Sequence, residues 1–497
     1  MFVAMTVEEM PVSESEAISV LDFGSVNSES EEDLDRLFVR TEDFDRFLKK
    51  NVWLALGAKG TGKSALFELF TKYEGTARYL AGPALDNVLI AAGTGFGDLS
   101  EVATGDLQSL RDENAGFDHD RLWRLYIAIK AGLALDSSFT VPRGPLRDLL
   151  TAVGDRRDFR VGPLLHELWE LAIGSAPSEV TITAGGTSVA LRGGRRTLDV
   201  VTLLEDVNAA LESNGKVLWL LFDKVDEIWP TNRDERRKAL EGLMTAVMQI
   251  RRTFPMIQPK IMLRTDLWSE LDFTNKDHLT DKRIELAWNS GHLANLLIKR
   301  AIRLPEVRSY VDSRLPALAA RAVEEWTADE RLGALDTIFP STAYPGEREA
   351  LFMDWLVERV KDGRGTVLPR DSIVLANAAS EYQRPQGSHS GSSLLSREVV
   401  RQAFTRTSEI RYESFLAEFP NLREHFRRFS GQTKAEFTRS ELVELMDELT
   451  PSDDALLERL FEIGVVRPNT GRVRTATSYE IPRLYRTGLG LVIRGRP

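Results

Sequence analysis

The sequence predicts an α/β fold: a three-layer α/β/α core around a parallel sheet, then a helical lid and a C-terminal winged-helix-like domain. Three observations predict it. Residues 52–56 are an apolar run leading into Gly57-Ala58-Lys59-Gly60-Thr61-Gly62-Lys63-Ser64, and residues 65–73 beyond it have helical spacing. A second run, Val217–Phe222, is apolar throughout and stops at Asp223, as a strand buried on both faces of a parallel sheet does. From Ile284 onward the pattern turns mostly helical before two strand-like stretches near the end.

The first of these is a complete G-x-x-x-x-G-K-[ST] pattern between a strand and a helix. Its glycines let the backbone curl with N–H groups pointing inward, at the positive end of the following helix, where an anion is stabilised. That chemistry assigns a nucleoside triphosphate to the loop. Gly57, Lys59, Gly60, Thr61, Gly62, Lys63, Ser64 and Ala65 form the cradle, with Lys63 reaching the β and γ phosphates and the Ser64 hydroxyl reaching Mg²⁺. An apolar strand ending in an acid is common by itself. Downstream of a full phosphate loop, Asp223 becomes the matching carboxylate for the metal shell.

Residues 1–33 are rich in acids and serines, including Ser28-Glu29-Ser30-Glu31-Glu32-Asp33, and predict a flexible acidic arm with a short anchored piece at Leu21 and Phe23. A helical pattern over 34–50 precedes the loop strand. Residues 87–92 read as another buried strand, closed by Gly93-Thr94-Gly95-Phe96-Gly97, a glycine cluster without the following Lys-Ser. Helical spacing at 118–135 and 161–173 turns Leu122, Trp123, Leu125, Tyr126, Ile129 and Leu164, Leu165, Leu168, Trp169 inward, and 179–192 alternates like a hairpin. A helix at 203–212, the turn Asn214-Gly215, an amphipathic helix at 231–253 and a short strand at 260–266 complete the core. Three apolar strands then end in polar groups, where ligands of open α/β sheets sit. Further helices are expected at 292–302, 315–327, 348–361 and 370–382, and a polar linker at 383–393. A helix at 397–429, two more within 437–462 broken at Thr450-Pro451, and strands at 464–466 and 478–493 around an Arg-rich turn at 467–474 suggest a winged helix. The expected domains are the arm, 1–33; a phosphate-loop core, 34–283, with an insertion at about 100–200; a helical lid, 284–382; a linker, 383–396; and a C-terminal domain, 397–497.

At 497 residues, 42% hydrophobic and 28% charged, the chain has apolar material for two to four domains. It has no cysteine, and its 6 histidines lack ligand spacing, which excludes thiolate chemistry and argues against zinc. With no apolar run of ~18 residues and an acidic start, a cytoplasmic protein without membrane contact is expected. The net charge of -11 argues against a general nucleic-acid coat.

At Asp223-Lys224-Val225-Asp226-Glu227 the chain resembles the STAND and AAA+-like side of the P-loop ATPases, where an Asp-x-x-Asp-Glu run follows the second apolar strand. Its loop, Gly57 to Ala65, is similar to that of bacterial STAND-like ATPases from uncharacterised or defence-associated loci. Leu263-Arg264-Thr265-Asp266-Leu267-Trp268 resembles the sensor strand, Ile284-Glu285-Leu286-Ala287-Trp288 with 293–300 the strand leading into the lid, and Leu368-Pro369-Arg370-Asp371 with Asn377 the lid arginine. The resemblance implies ATP with Mg²⁺ and hydrolysis to ADP and phosphate. Asp223 would hold Mg²⁺ through water, and Asp226 or Glu227 would orient and deprotonate the attacking water. Arg264 would sense the γ-phosphate and Arg370 would couple the triphosphate to lid closure, since a guanidinium is a rigid fork for phosphate oxygens. Self-association on ATP, or a protein partner, is implied as well. Taken alone, Arg264 and Arg370 read equally as surface or salt-bridging arginines, and Glu227 as a solvated acid.

One position departs from the pattern. Many relatives carry an acid directly after the first Asp; here it is Lys224, which cannot polarise water as a carboxylate does. Slow turnover is expected, with nucleotide acting as a switch or driving remodelling. The alternative reading is a DNA-binding regulator, in which Arg467, Arg472, Arg474, Arg483, Arg486, Arg494 and Arg496 oppose Glu480 alone within their segment. A third is a nucleotide sensor that does not hydrolyse.

Overall fold

The computed structural model describes residues 12–27, 30–93, 118–139, 141, 144, 146–147, 150, 179–184, 187–192, 199–227, 233–319, 321–345, 350–446 and 452–492. The helix expected over 161–173, glycine-cluster residues 94–97, the break at 450–451, and Arg494 and Arg496 lie outside them. The chain divides into two compact units, Arg40–Leu286, and Met1–Val39 together with Ala287–Pro497.

Among the described residues, the unit Arg40–Leu286 holds seven strands: β1 (Leu54–Gly57), β2 (Val88–Ala92), β3 (Glu179–Ala184), β4 (Thr187–Arg192), β5 (Val217–Phe222), β6 (Ile257–Arg264) and β7 (Arg283–Glu285). β3 and β4 pair as an antiparallel hairpin. The other five form one sheet in the order β2-β5-β6-β1-β7, parallel at every pairing.

Side chains alternate between the faces of a strand, and β5 shows where each goes. Leu218, Leu220 and Phe222 join a core with the helices His119–Asp136, Val200–Ser213 and Arg233–Thr253. Trp123 in that layer stands edge-on to Phe222 and donates its Nε1–H to the Ala239 carbonyl at 2.8 Å. Trp219, on the opposite face, meets Phe47 and Phe70 edge-on, from the helices Glu42–Phe47 and Lys63–Thr71. The sheet is therefore the middle of three layers, as the apolar runs predict. β6 starts at Ile257, before the expected 260, because pairing with β5 carries the strand through Gln258 and Pro259, which interrupt the apolar pattern. It ends at Arg264, where the helix Thr265–Glu270 begins.

The second unit packs the helices Ser290–Ile302, Pro305–Arg314, Ala328–Ile338, Phe352–Val360, Pro369–Gln383 and Arg397–Glu418 around an apolar core. The helix expected over 315–327 is absent, replaced by two 3₁₀ turns, Pro316–Leu318 and Val323–Glu325. Pro316 biases Leu315 away from helical backbone, and Thr327 with Glu330 forms the capping box that starts the next helix at Ala328. The anchored piece around Leu21 and Phe23 begins earlier than expected. The helix Glu14–Val20 has its own capping box, Ser13 with Glu16, and Ala17, Ile18, Leu21 and Phe23 are buried in the same core. The polar stretch read as a linker is fastened at both ends: Gln383 Nε2 donates to the Gly387 carbonyl at 2.7 Å, and the Leu394 and Leu395 amides donate to Thr337 and Ile338 carbonyls at 2.9 Å.

The helix expected over 397–429 stops at Glu418, ahead of Pro420. Beyond it β8 (Glu436–Thr438), β9 (Arg467–Pro468) and β10 (Ser478–Glu480) form an antiparallel sheet ordered β8-β10-β9. With the helices Arg423–Arg427, Arg439–Leu445 and Asp453–Glu462 they make a winged-helix-like domain with its own core. Two expectations change there. Residues 464–466 end a helix instead of forming a strand: Gly464 takes φ 79° and the Val465 amide returns to the Leu460 carbonyl at 3.0 Å. After β10, Pro482 opens the short helix Arg483–Arg486 where 478–493 read as strand.

Candidate nucleotide-binding site

β1 lies between β6 and β7, and Gly57 at its end is in register with Arg264 at the end of β6. The loop thus leaves from inside the sheet. Gly60 and Gly62 take φ 90° and 101°, a region that residues with a Cβ rarely enter. A Cβ on Gly57 would meet Thr61 Oγ1 at 2.3 Å. Thr61 is buried and donates its hydroxyl to the Ala58 carbonyl at 2.9 Å, so it pins the loop from within. Gly62 is the N-cap of the helix Lys63–Thr71, and no side chain caps that helix. Its first-turn N–H groups are thereby left for an anion. Lys59 is exposed at the loop's tip, while Ser64 and Ala65 are partly buried in the first turn.

Lys63 folds its ammonium back onto the loop, donating to the Gly57 carbonyl at 2.9 Å and the Ala58 carbonyl at 3.0 Å. Burial pushes it down to about 8; Asp223 and Asp226 oppose that shift and Arg264 adds to it. The loop, the acid after β5 and the arginine at the end of β6 therefore share one electrostatic site.

Asp223 is buried at the end of β5. Burial pushes its carboxyl up, opposed first by the neighbouring Ser64 hydroxyl, then by the Lys63 charge and the Lys224 backbone N–H. Ser64 and Asp223 are near enough for the hydroxyl to act on the carboxyl. A hydroxyl and a carboxylate side by side offer Mg²⁺ the oxygen donors it takes, with phosphate oxygens and water to complete its shell. The residues fit the ion.

Lys224, directly after Asp223, has the left-handed φ 57°, uncommon for a side-chain-bearing residue. Its backbone supports Asp223 through that N–H. The following 3₁₀ turn, Val225–Glu227, is anchored by buried Val225 and closed by the Glu227 amide on the Lys224 carbonyl at 3.0 Å. Asp226 is partly exposed and acts on both Lys63 and Asp223, whereas Glu227 is exposed.

Arg264 grips Asp266 along one edge of its guanidinium, Nε to Oδ1 at 3.0 Å and Nη2 to Oδ2 at 2.7 Å. Burial alone would raise the Asp266 carboxyl, but the Arg264 hydrogen bonds and charge, with Lys63 beyond, hold it below its ordinary value. Asp266 is the functional candidate that sequence reasoning missed. Its signal, an acid two residues beyond a strand-end arginine, lies inside the sensor-like run.

Arg370 belongs to the other unit. It sits in the first turn of Pro369–Gln383 and donates Nη2 to Asn27 Oδ1 at 2.8 Å. Asn377, one helical face along, accepts from the Phe23 amide at 2.8 Å and donates to the Gly24 carbonyl at 3.0 Å. Among the described residues no helix is long and apolar enough to cross a membrane.

No family model and no curated relative matches the chain. Among solved structures it is similar to the ORC2 protein of Aeropyrum pernix in ADPNP-ADP complexes, at 13% identity and a TM-score of 0.33, over 92% of this chain and 91% of that one. It is also similar to the Aeropyrum pernix ORC1 protein in complex with DNA, at 12% identity and a TM-score of 0.29, over 96% and 97% of the two chains. Cdc6p from Pyrobaculum aerophilum stands at 13% identity and a TM-score of 0.30, over 96% and 97%. Likeness this distant leaves function to the geometry of the site.

Proposed function

We propose that the chain is an ATP-binding P-loop ATPase that hydrolyses Mg·ATP slowly and uses nucleotide state as a switch or to drive remodelling. The observation that carries this reading is the glycine loop closed by Lys63 on the Gly57 and Ala58 carbonyls at 2.9 Å and 3.0 Å, with the buried strand-end Asp223 and Ser64 in the same electrostatic field. Gly57 to Ala65 bind the phosphates through backbone N–H groups and the Lys63 charge. Ser64 and Asp223 would hold Mg²⁺, which when bound would draw charge from the phosphate oxygens. Asp226 orients a water and takes its proton as the water oxygen bonds to the γ-phosphorus and the bond to the β,γ-bridging oxygen breaks, leaving ADP and phosphate. Asp226 is preferred to Glu227 because it acts on both Lys63 and Asp223. Arg264 answers to the γ-phosphate, present in only one nucleotide state, and such a contact shifts the population of conformations. Arg370 as lid sensor, self-association on ATP, a cytoplasmic setting, the domain limits given above and a bacterial defence or signalling role complete the reading on family resemblance.

Calorimetry with Mg·ATP tests it: saturable binding to the wild type, weakened about 100-fold in Lys63→Ala, is expected, and no heat of binding to the wild type removes it. Steady-state turnover below about 1 s⁻¹, the slow end of the enzymatic range, should disappear in Asp226→Asn with binding kept. Rapid consumption of ATP would contradict the slow switch.

The DNA-regulator alternative loses part of its basic surface. Arg467 and Arg486 both pair with Glu480, and Arg474 pairs with Glu458 of a neighbouring helix. It rests on exposed Arg472 and Arg483, and salt-sensitive duplex binding that survives Lys63→Ala would favour it.

A further inference from the structure

Resting on the triphosphate reading of the loop, we propose that Asp266 is a positioning residue that competes with the γ-phosphate for Arg264, and so sets how strongly the site prefers ATP to ADP. Arg264 ends β6 in register with Gly57, where the loop begins. Its charge and that of Asp266 both act on Lys63, the residue assigned to the terminal phosphates. The two hydrogen bonds to Asp266, at 2.7 Å and 3.0 Å, occupy one edge of the guanidinium in the side-by-side geometry that suits a carboxylate or a phosphate equally. That edge cannot hold both. The pair is also half-sealed, with side chains 21% and 24% exposed, so water screens it weakly.

A γ-phosphate drawn to Arg264 meets the Asp266 carboxylate as well, and two anions beside one cation repel. ADP brings no such encounter. Asp266 therefore weakens triphosphate binding and leaves diphosphate binding unchanged. The Arg264 contact forms only once that exchange has been made, which gives the switch a threshold.

The test titrates the full chain with Mg²⁺ and fluorescent ADP or a non-hydrolysable ATP analogue. Four forms are compared: wild type, Asp266→Asn, Arg264→Gln and the double variant. Asp266→Asn is expected to raise the ratio of triphosphate to diphosphate affinity about tenfold. Arg264→Gln lowers the ratio below that of the wild type, and adding Asp266→Asn to it changes nothing further. A ratio unchanged or lowered by Asp266→Asn, or raised equally without Arg264, overturns the proposal. If Asp266→Asn melts before it can be titrated, Asp266→Ser, uncharged and suited to a first helical turn, takes its place with the same expected sign. A wild type that binds neither nucleotide removes the triphosphate reading itself, and this assignment with it.

Discussion

Lys63 and Lys260 both carry an ammonium out of bulk water, and burial pushes both down, Lys63 to about 8 and Lys260 well below its ordinary value. Both donate to backbone carbonyls. Lys260 finds the carbonyls of Phe47 at 2.5 Å, Val52 at 2.8 Å and Lys49 at 3.5 Å, one for each of its N–H groups. The rings of Phe47 and Trp219 lie 4.3 Å and 3.9 Å from its nitrogen, and the residue is fully buried. Lys63 makes two carbonyl bonds, faces Asp223 and Asp226, and stays partly exposed. A lysine whose donors are all committed under a sealed roof fastens the chain before β1 to the sheet. One with a donor to spare, at an open loop beside acids, can exchange partners with a ligand.

The strongest way to break this contrast is Lys260→Met. The two buried carbonyls, of Phe47 and Val52, lose this donor, each at roughly 1–3 kcal/mol, offset in part by the charge no longer buried; the Lys49 carbonyl keeps the Val52 amide at 3.1 Å. A net loss of about 3 kcal/mol in urea unfolding is expected, and a loss below about 1 kcal/mol would unseat the fastening role. Lys63→Ala reverses the pattern. Mg·ATP affinity should fall about 100-fold, or about 2.7 kcal/mol, with the unfolding midpoint little changed; a chain that unfolds instead would make the two lysines alike.

The charge state of Lys63 sharpens the contrast further. Above about pH 8 the free site loses the lysine proton, whereas the phosphate-bound site keeps it, so binding takes up a proton and affinity falls as pH rises. The expected slope is about tenfold per pH unit above pH 8 and flat below it. Calorimetry at pH 9 in buffers of different ionisation heat reads the uptake directly, and zero uptake would contradict the assigned ammonium. The smallest effect is at a third lysine. Lys224→Gly relieves the left-handed backbone at φ 57° and should stabilise the chain by up to ~1 kcal/mol, measured by thermal melting; a destabilisation would mean the Lys224 side chain carries more than its backbone does.

The same contrast explains what could be read in the sequence. The loop was legible because its demands are local: glycine where φ is positive, lysine and serine opening a helix. β5 was legible because burial on both faces leaves an unbroken apolar run. Lys260 was not, since a lysine at the start of a short strand reads as solvated, and its roof comes from Phe47 and Trp219, distant in the chain. Asp266 was hidden for a related reason. Only the register of β1 on β6 brings Arg264 beside Gly57 and gives its partner meaning. Gly93 had a signal with a different cause from the one it suggests: a Cβ there would come within 2.8 Å of Phe222 and 2.9 Å of Leu220, so close packing on β5 accounts for that glycine without a phosphate.

The place of β6 between β1 and β5 has a consequence for size. Neighbouring strands stand roughly 4.8 Å apart, so the glycine-rich turn after β1 and Asp223 after β5 rise from ends about two spacings apart, with the tip of β6 as the floor between them. A chain ordered with β1 directly beside β5 would halve that mouth and leave no floor on which to stand a guanidinium. The dimensions of the cargo are thus chosen by topology before any side chain takes part.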